Sequence, residues 1–247
     1  MTTTNFSTTA LITGASRGLG RALAIALGAA GLRVVLVARN AAELDPVVAE
    51  VTQKGGTAFA IAADVGDKQA IHRIASEAAA LVGPIDVLIN NAATLGPTPL
   101  PLLLDAECED LEHVLAVNLI GPFRLIKVIA GAMTLRQRGL VINISSDSGI
   151  EAYPRCGAYG VSKAAFDHLT RIFAVELADS GVRFLIVDPG EMNTKMHADA
   201  IPEADPATLA DPADIAARLV AVIKGQVDFS SGERLVAPNI KLPEVTS

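Results

Sequence analysis

A tyrosine and a lysine stand four residues apart in the segment YGVSK, at Tyr159 and Lys163. The surrounding sequence predicts a helix, on which residues four apart share one face. A tyrosine side chain, with a pKa of about 10, exchanges protons poorly at neutral pH unless a neighbouring cation favours its phenolate. The pair is therefore a candidate general acid and base. An isolated pair at this spacing is more often structural, so the interpretation depends on its surroundings.

Two serines, Ser145 and Ser146, end an apolar run just before the tyrosine's predicted helix. If that run is a strand of a parallel sheet, the serines lie at its carboxyl end. Ligands of open α/β sheets bind beside that edge. The serines and the tyrosine are thus predicted to reach the same cleft.

Three glycines occur in the stretch TGASRGLG, at Gly14, Gly18 and Gly20, between a predicted strand and a predicted helix. Glycines at such a junction let the backbone approach an anion, which the helix N-terminus also attracts. The spacing is wider than the GxGxxG dinucleotide pattern. No GK[ST] follows it, so it is not a P-loop. A plain glycine-rich turn is the alternative, but the place at the first strand-helix junction favours a dinucleotide site.

The end of the second apolar run, VARN, carries Arg39 where NAD-binding proteins usually have an acidic residue. An arginine at this position accommodates a ribose 2′-phosphate. Arg17, inside the glycine stretch, offers a second guanidinium. Each could be an ordinary surface arginine, but the two together, with no acid beside them, predict NADP(H) rather than NAD(H).

Short apolar runs alternate with longer segments that carry charges at helical spacing. The runs are continuous, as is typical of parallel strands covered on both faces. Such alternation predicts an α/β fold: a Rossmann-like, doubly wound parallel sheet of about seven strands with helices on both faces. No linker divides the chain, so 1–247 is predicted to be a single domain. The predicted strands are 9–13, 33–38, 57–63, 86–91, 140–145, 183–188 and 233–238.

Two segments depart from this alternation. The segment 107–133 is long for one helix and carries Asn118, Gly121 and Pro122 in its middle, where a bend is expected. The segment 191–211 contains three prolines and no clear strand. We interpret it as a loop that covers the substrate, because long loops in compact domains are usually functional.

The composition excludes several classes of protein. The net charge is −7 and no basic run occurs, so nucleic acid and anionic membranes are poor partners. No uncharged apolar stretch is seen to reach the roughly 18–20 residues of a spanning helix, and the N-terminus lacks the pattern of a secretory signal. Two distant cysteines and four unpaired histidines do not indicate a metal site. A soluble, cytoplasmic protein is expected.

Six segments, in order, resemble the short-chain dehydrogenase/reductase family: TGASRGLG, NNAA, VNLIGPF, NISS, YGVSK and PGEMNT. The resemblance covers residues 10 to about 195. It implies a catalytic tetrad of Asn118, Ser146, Tyr159 and Lys163. Tyr159 would protonate a carbonyl oxygen that Ser146 polarises, Lys163 would bind the nicotinamide ribose and lower the pKa of the tyrosine, and Asn118 would hold a water.

The resemblance also implies which residues contact NADP(H), in the order in which the chain supplies them. These are Gly14, Ser16, Arg17, Gly18, Leu19, Gly20, Arg39, Asp64, Val65, Asn91, Ala92, Ala93, Tyr159, Lys163, Pro189, Gly190, Met192 and Thr194.

The implied activity is the NADPH-dependent reduction of a ketone, or the oxidation of the corresponding alcohol. The substrate is expected to contact Ser146, Ile150, Tyr153, Tyr159, Met192 and Met196, a mostly apolar set that favours an apolar carbonyl compound. The alternative is a non-catalytic NADP(H)-binding sensor, which usually loses the tyrosine or the lysine. The family also implies a homodimer or homotetramer, although the C-terminal part lacks the glycine-rich ending that often takes part in tetramers.

Overall fold

The computed structural model describes residues 9–242, in which seven strands form one parallel sheet. Across the sheet the order is β3-β2-β1-β4-β5-β6-β7. The predicted doubly wound α/β fold is confirmed. Residues 1–8 and 243–247, with the expected absence of a secretory signal, lie outside the described residues, so a single domain over 1–247 stays a prediction. The strands are β1 Thr9–Thr13, β2 Arg33–Ala38, β3 Thr57–Ala62, β4 Val87–Asn90, β5 Gly139–Ile144, β6 Val182–Asp188 and β7 Glu233–Val236.

Successive residues of a strand point to opposite faces of the sheet. Because the residues on both faces are apolar, helices cover both of them. Ala10 and Ile12 pack with one set of helices, whereas Leu11 packs with the other. The first face carries α1, α2 and α8, and the second carries α3, α5 and α6. The helices are α1 Gly18–Ala29, α2 Ala41–Gln53, α3 Ala70–Val82, α4 Cys108–Leu115, α5 Gly121–Leu135, α6 Gly157–Glu176, α7 Lys195–Ala200 and α8 Pro212–Ile223.

The strand order reverses between β1 and β4, which are neighbours in the sheet. The chain leaves these two strands in opposite directions, so a crevice opens beyond their carboxyl ends. The glycine turn follows β1, and the serine loop follows β5, two strands away. The topology therefore places both candidate motifs at one edge of the sheet.

The expected irregularity in 107–133 is a π-helical turn, Ala116–Ile120, between α4 and α5. Asn118 lies within it, and Pro122 occupies the first turn of α5, where its missing N–H costs least. The helical segment Cys108–Leu135 has the length and hydropathy of a spanning helix, although Arg124 and Lys127 interrupt its apolar residues, so no uncharged stretch of that length occurs in it. Of its most apolar 18-residue window 44% is buried, and its α5 part packs against the sheet.

The segment 191–211 is more ordered than predicted. Thr194 begins the short helix α7 by accepting a hydrogen bond from the backbone N–H of His197. A lone bridge joins Met192 to Ala210 and closes the segment at its base. The predicted last strand, 233–238, is shorter than expected, since Pro238 cannot donate to a strand ladder and a 3₁₀ turn, Ala237–Asn239, begins there.

Candidate active site

Tyr159 and Lys163 project from the same face of α6, as their spacing predicts. The Lys163 Nζ lies 5.4 Å from the centroid of the Tyr159 ring. The lysine is 2% exposed, and its Nζ donates a hydrogen bond of 2.7 Å to the backbone carbonyl oxygen of Ile144. Helix α6 and the end of β5 thus hold the ammonium beside the phenol ring.

Burial determines the proton affinity of both side chains. It raises the pKa of Tyr159, against the effect of a hydrogen bond with Ser146, and it lowers the pKa of Lys163 to about 8, against the charge of Asp167. A lowered pKa of Tyr159 was implied by the resemblance, and the residues described here give the opposite direction. The reason is that burial disfavours the charged form of each group. A protonated phenol is the form that can donate to a carbonyl oxygen.

Ser146 lies just beyond β5 and is the serine that shares a hydrogen bond with Tyr159. Its hydroxyl donates to Asp147 Oδ1 at 2.8 Å and accepts from the hydroxyl of Ser148 at 3.0 Å. The preceding Ser145 is buried in the sheet, 2% exposed, with its backbone N–H bonded to the carbonyl oxygen of Val187 at 2.7 Å. Of the two candidate serines, Ser146 therefore has the geometry to meet a substrate.

Asn118 braces the site from the π-helical turn. Its Nδ2 donates to the carbonyl oxygen of Thr94 at 2.9 Å and to Ser162 Oγ at 3.0 Å, while its Oδ1 accepts from the N–H of Thr94 at 2.8 Å. Ser162 in turn donates to the carbonyl oxygen of Tyr159 at 2.6 Å. Both N–H groups of the amide are used by the protein, so a water held by this side chain stays a prediction.

The glycine turn leaves room for an anion. Gly14 and Gly18 have φ angles of 66° and 53°, a region that favours glycine. A Cβ at Gly20 would lie 2.2 Å from the carbonyl oxygen of Gly14. Helix α1 begins at Gly18 after Arg17, which makes no side-chain capping bond. The first N–H groups of α1 are thus free of a side-chain cap, and they fit the pyrophosphate of a dinucleotide.

Asn91 supports the glycine turn. Its Nδ2 donates to the backbone carbonyl oxygens of Thr13, at 2.9 Å, and Gly14, at 3.2 Å. The hydroxyl of Thr13 accepts from the N–H groups of Asn91 and Ala92, both at 3.0 Å. These bonds use the Asn91 side chain and the Ala92 N–H to support the turn, and the partly buried Ala93 follows.

Arg17 and Arg39 are both exposed, and within residues 9–242 neither forms an ion pair. Ser16, next to Arg17, donates its hydroxyl to Glu43 Oε2 at 3.0 Å. Glu43 lies in the first turn of α2, where the helix dipole favours a carboxylate. The guanidinium groups are thus without an ion pair among these residues, but the expectation of no acid beside them is wrong at Arg17, because the Glu43 carboxylate is bonded to the neighbouring Ser16.

The other predicted cofactor contacts also follow the carboxyl ends of strands. Asp64 follows β3 and accepts from the N–H of Gly66 at 2.8 Å. Gly190 follows β6, has a φ of 71° and donates its N–H to Asp188 Oδ1 at 3.0 Å. A Cβ at Gly18 would lie 3.3 Å from Thr194 Cγ2, so the glycine turn and the start of α7 face each other. Three more predicted residues have the following places: Leu19 is buried in α1, Val65 is buried after β3, and Pro189 precedes Gly190.

The predicted substrate residues differ in exposure, and one of them contacts a carboxylate. Ile150 is 60% exposed and Tyr153 is 49% exposed, whereas Met192 and Met196 are partly buried. The Tyr153 hydroxyl donates to Asp147 Oδ2 at 2.9 Å. The Asp147 carboxylate thus joins Ser146 to Tyr153, a contact that the sequence interpretation did not include.

Sequence reasoning also missed a buried ionic group below the site. Arg234, on β7, contacts Asp167 Oδ2 at 3.2 Å and Asp188 Oδ2 at 3.1 Å. Both carboxylates are buried, at 2% and 6% exposed. The sequence feature that could have indicated this group is Arg234 itself, in the predicted strand ERLVAP. An arginine that is mostly buried in a sheet requires acidic partners.

Comparison with known proteins agrees with this geometry. Residues 8–205 match the short chain dehydrogenase family. A 3-oxoacyl-(acyl-carrier-protein) reductase from a Synechocystis species is 38% identical over 188 residues, covering 76% of this chain and 75% of that protein. A metagenomic short-chain oxidoreductase in complex with NADP is 33% identical, with a TM-score of 0.79 over 93% of this chain and 96% of that one. A 7α-hydroxysteroid dehydrogenase complexed with NADH and 7-oxo glycochenodeoxycholic acid is 29% identical, with a TM-score of 0.85 over 94% of each chain.

Proposed function

The chain belongs to the short-chain dehydrogenase/reductase family of oxidoreductases, and we propose that it is an NADPH-dependent reductase of ketones. The observation that carries the proposal is the placement of Tyr159 beside Lys163 and Ser146, at the edge of the sheet that also holds the glycine turn. The comparisons support an oxidoreductase that acts on alcohol or ketone groups. The same residues work in reverse on the secondary alcohol.

A bound nicotinamide dinucleotide supplies the hydride in reduction and accepts it in oxidation. Tyr159 gives its phenolic proton to the carbonyl oxygen, which becomes the alcohol hydroxyl. Ser146 donates a hydrogen bond to the same oxygen. Lys163, held by its bond to Ile144, stabilises the negative charge that develops on Tyr159.

The preference for NADP(H) rests on Arg17 and Arg39. Both guanidinium groups lie near the end of β2 and the glycine turn, without a carboxylate partner in residues 9–242. An arginine there pairs with a 2′-phosphate, whereas an acidic residue would repel it. Two of the solved structures named above contain different cofactors, one NADP and one NADH. The proposed preference of this chain for NADP(H) therefore depends on its own two arginines.

We also propose a homo-oligomer, dimeric or tetrameric, in the cytoplasm. Helix α6 carries apolar side chains that are exposed in the single chain: Val161 is 53% exposed, Ile172 41% and Val175 77%. Exposed apolar side chains on one helix are typical of a surface between copies. Light scattering at several protein concentrations measures the assembly, and a monomer at every concentration would contradict it.

The central experiment follows NADPH oxidation at a panel of ketones and compares the natural chain with Tyr159→Phe. Loss of the phenolic proton is expected to lower kcat about 100- to 10,000-fold, because general acid catalysis contributes that much. NADPH affinity, measured by calorimetry, is expected to stay within a few-fold. If Tyr159→Phe reduces ketones at the original rate, the proposal is wrong. Tight NADPH binding without turnover by the natural chain would favour the sensor instead.

A further inference from the structure

Asp147 accepts the hydrogen bond that Ser146 would have to donate to the carbonyl oxygen of a substrate. A serine hydroxyl has one proton to donate, and Ser146 gives it to Asp147 Oδ1 at 2.8 Å. The Ser146 oxygen accepts from the hydroxyl of Ser148, so it is held from the other side as well. While these bonds persist, Ser146 cannot donate to the carbonyl oxygen of a substrate. A substrate must therefore replace Asp147 as the acceptor before the Ser146 hydroxyl can polarise the substrate's carbonyl group.

The Asp147 carboxylate is accessible to a substrate. Asp147 is exposed, and its charge raises the pKa of Tyr159, which places it within electrostatic range of the reacting oxygen. Its Oδ1 also accepts from the N–H of Ser148 at 2.7 Å, and its Oδ2 accepts from the Tyr153 hydroxyl at 2.9 Å. A carboxylate accepts about four hydrogen bonds, so a further donor can bind.

A plain ketone brings only an acceptor into this site. It therefore competes with Asp147 for the Ser146 proton and offers the carboxylate nothing in exchange. A ketone with a hydroxyl on the neighbouring carbon brings a donor, which can take the place of Ser146 on Asp147. The serine proton then turns to the carbonyl oxygen, and every polar group is paired.

We infer that Asp147 is a specificity-determining residue, and that the substrate class is ketones carrying a hydroxyl on the carbon next to the carbonyl. In the reverse direction the class is vicinal diols. The inference rests on the proposed reductase activity, which it makes more specific. It adds one polar group to the apolar substrate contacts expected from Ile150, Met192 and Met196.

The experiment compares 2-hydroxyacetophenone with 2-methoxyacetophenone. The two ketones share the apolar ring and an electron-withdrawing oxygen, but the methyl ether has no donor. We expect kcat/KM of the natural chain to favour the hydroxy ketone about 10- to 100-fold, as a hydrogen bond to a charged group does. In Asp147→Ala the ratio is expected to approach one, and Asp147→Asn, which keeps the shape, is expected to give an intermediate ratio.

Glu151→Gln is the matched control. Glu151 is an exposed carboxylate on the same loop, and its interaction with Tyr153 is electrostatic. It is expected to keep the ratio of the natural chain. Binding is measured separately in Tyr159→Phe with NADP⁺, where the hydroxy ketone should raise the unfolding temperature more than its methyl ether does.

The outcomes separate the two proposals. Equal reduction of both ketones by the natural chain, or an unchanged ratio in Asp147→Ala, would overturn the role of Asp147 and leave the reductase activity standing. NADPH oxidation with neither ketone, nor with any other in the panel, would contradict the reductase activity, and the role of Asp147 would fall with it.

Discussion

The guanidinium of Arg234 donates a hydrogen bond of 2.9 Å to the backbone carbonyl oxygen of Ser146. The same group contacts Asp188, which precedes the turn after β6, and Asp167, which lies one helical turn beyond Lys163. One side chain from the last strand therefore ties together the serine loop, the turn after β6 and helix α6. It also supplies a cationic partner to two carboxylates that are buried in the interior.

Replacing Arg234 with methionine is expected to lower the free energy of unfolding by about 3–5 kcal/mol, because it leaves buried carboxylates without their partner. Denaturant titration measures the change. Arg21→Met is the matched control: the side chains of Arg21 and Glu50 are 48% and 28% exposed, and an exposed pair contributes about 0–1 kcal/mol. Similar losses in both variants would show that the Arg234 contacts add nothing to those of a surface pair.

The rate of ketone reduction is expected to fall as pH rises through about 8. Burial lowers the pKa of Lys163 to about 8, so its ammonium is present below that pH and lost above it. Burial raises the pKa of Tyr159, so the phenol stays protonated over the same range. The measurement is kcat/KM against pH, with a tenfold fall for each pH unit on the alkaline side.

Lys163→Arg tests which group causes that fall. A guanidinium remains charged throughout the range, so the variant is expected to be slower but to lose the alkaline decrease. If the decrease stays at the same pH in Lys163→Arg, it belongs to another group.

Arg39→Ala is expected to raise KM for NADPH about 10- to 100-fold and to leave KM for NADH within a few-fold, since only NADPH carries the 2′-phosphate. Arg33→Ala is the control at the other end of the same strand, where the guanidinium donates to the carbonyl oxygen of Leu81 at 2.7 Å. Steady-state kinetics with each cofactor measures both. An equal effect on NADPH and NADH would rule out a phosphate contact for Arg39.

The sheet and the spacing of the catalytic pair could be predicted from the sequence because both follow from local periodicity. Continuous apolar runs identified all seven strands with errors of at most two residues at their ends, and helical spacing placed Tyr159 and Lys163 on one face. The glycine turn was recognised for a similar reason, since positive φ angles at Gly14 and Gly18 require that residue type.

Contacts between distant segments could not be predicted in this way. Arg234 and Asp167 are 67 residues apart, and no pattern in either segment specifies the other. The proton affinity of Tyr159 also depends on burial, which follows from packing rather than from the presence of Lys163 nearby. Asp147 was overlooked because a single acidic residue after the serines has no periodic signal of its own.

The crowding at Gly20 predicts that a single methyl group will damage the glycine turn. A Cβ there would lie 2.2 Å from the carbonyl oxygen of Gly14 and 2.6 Å from Nδ2 of Asn91, so the backbone at the start of α1 must move. Gly20→Ala is expected to cost about 1–3 kcal/mol, as overpacking does, and to weaken NADPH binding at least about tenfold. Gly131→Ala is the control, because a Cβ in this part of α5 meets nothing within 4 Å and is expected to stabilise the helix by about 0.5–1 kcal/mol. Thermal unfolding and calorimetric titration with NADPH measure both variants, and unchanged NADPH affinity in Gly20→Ala would show that the dinucleotide does not lie against this turn.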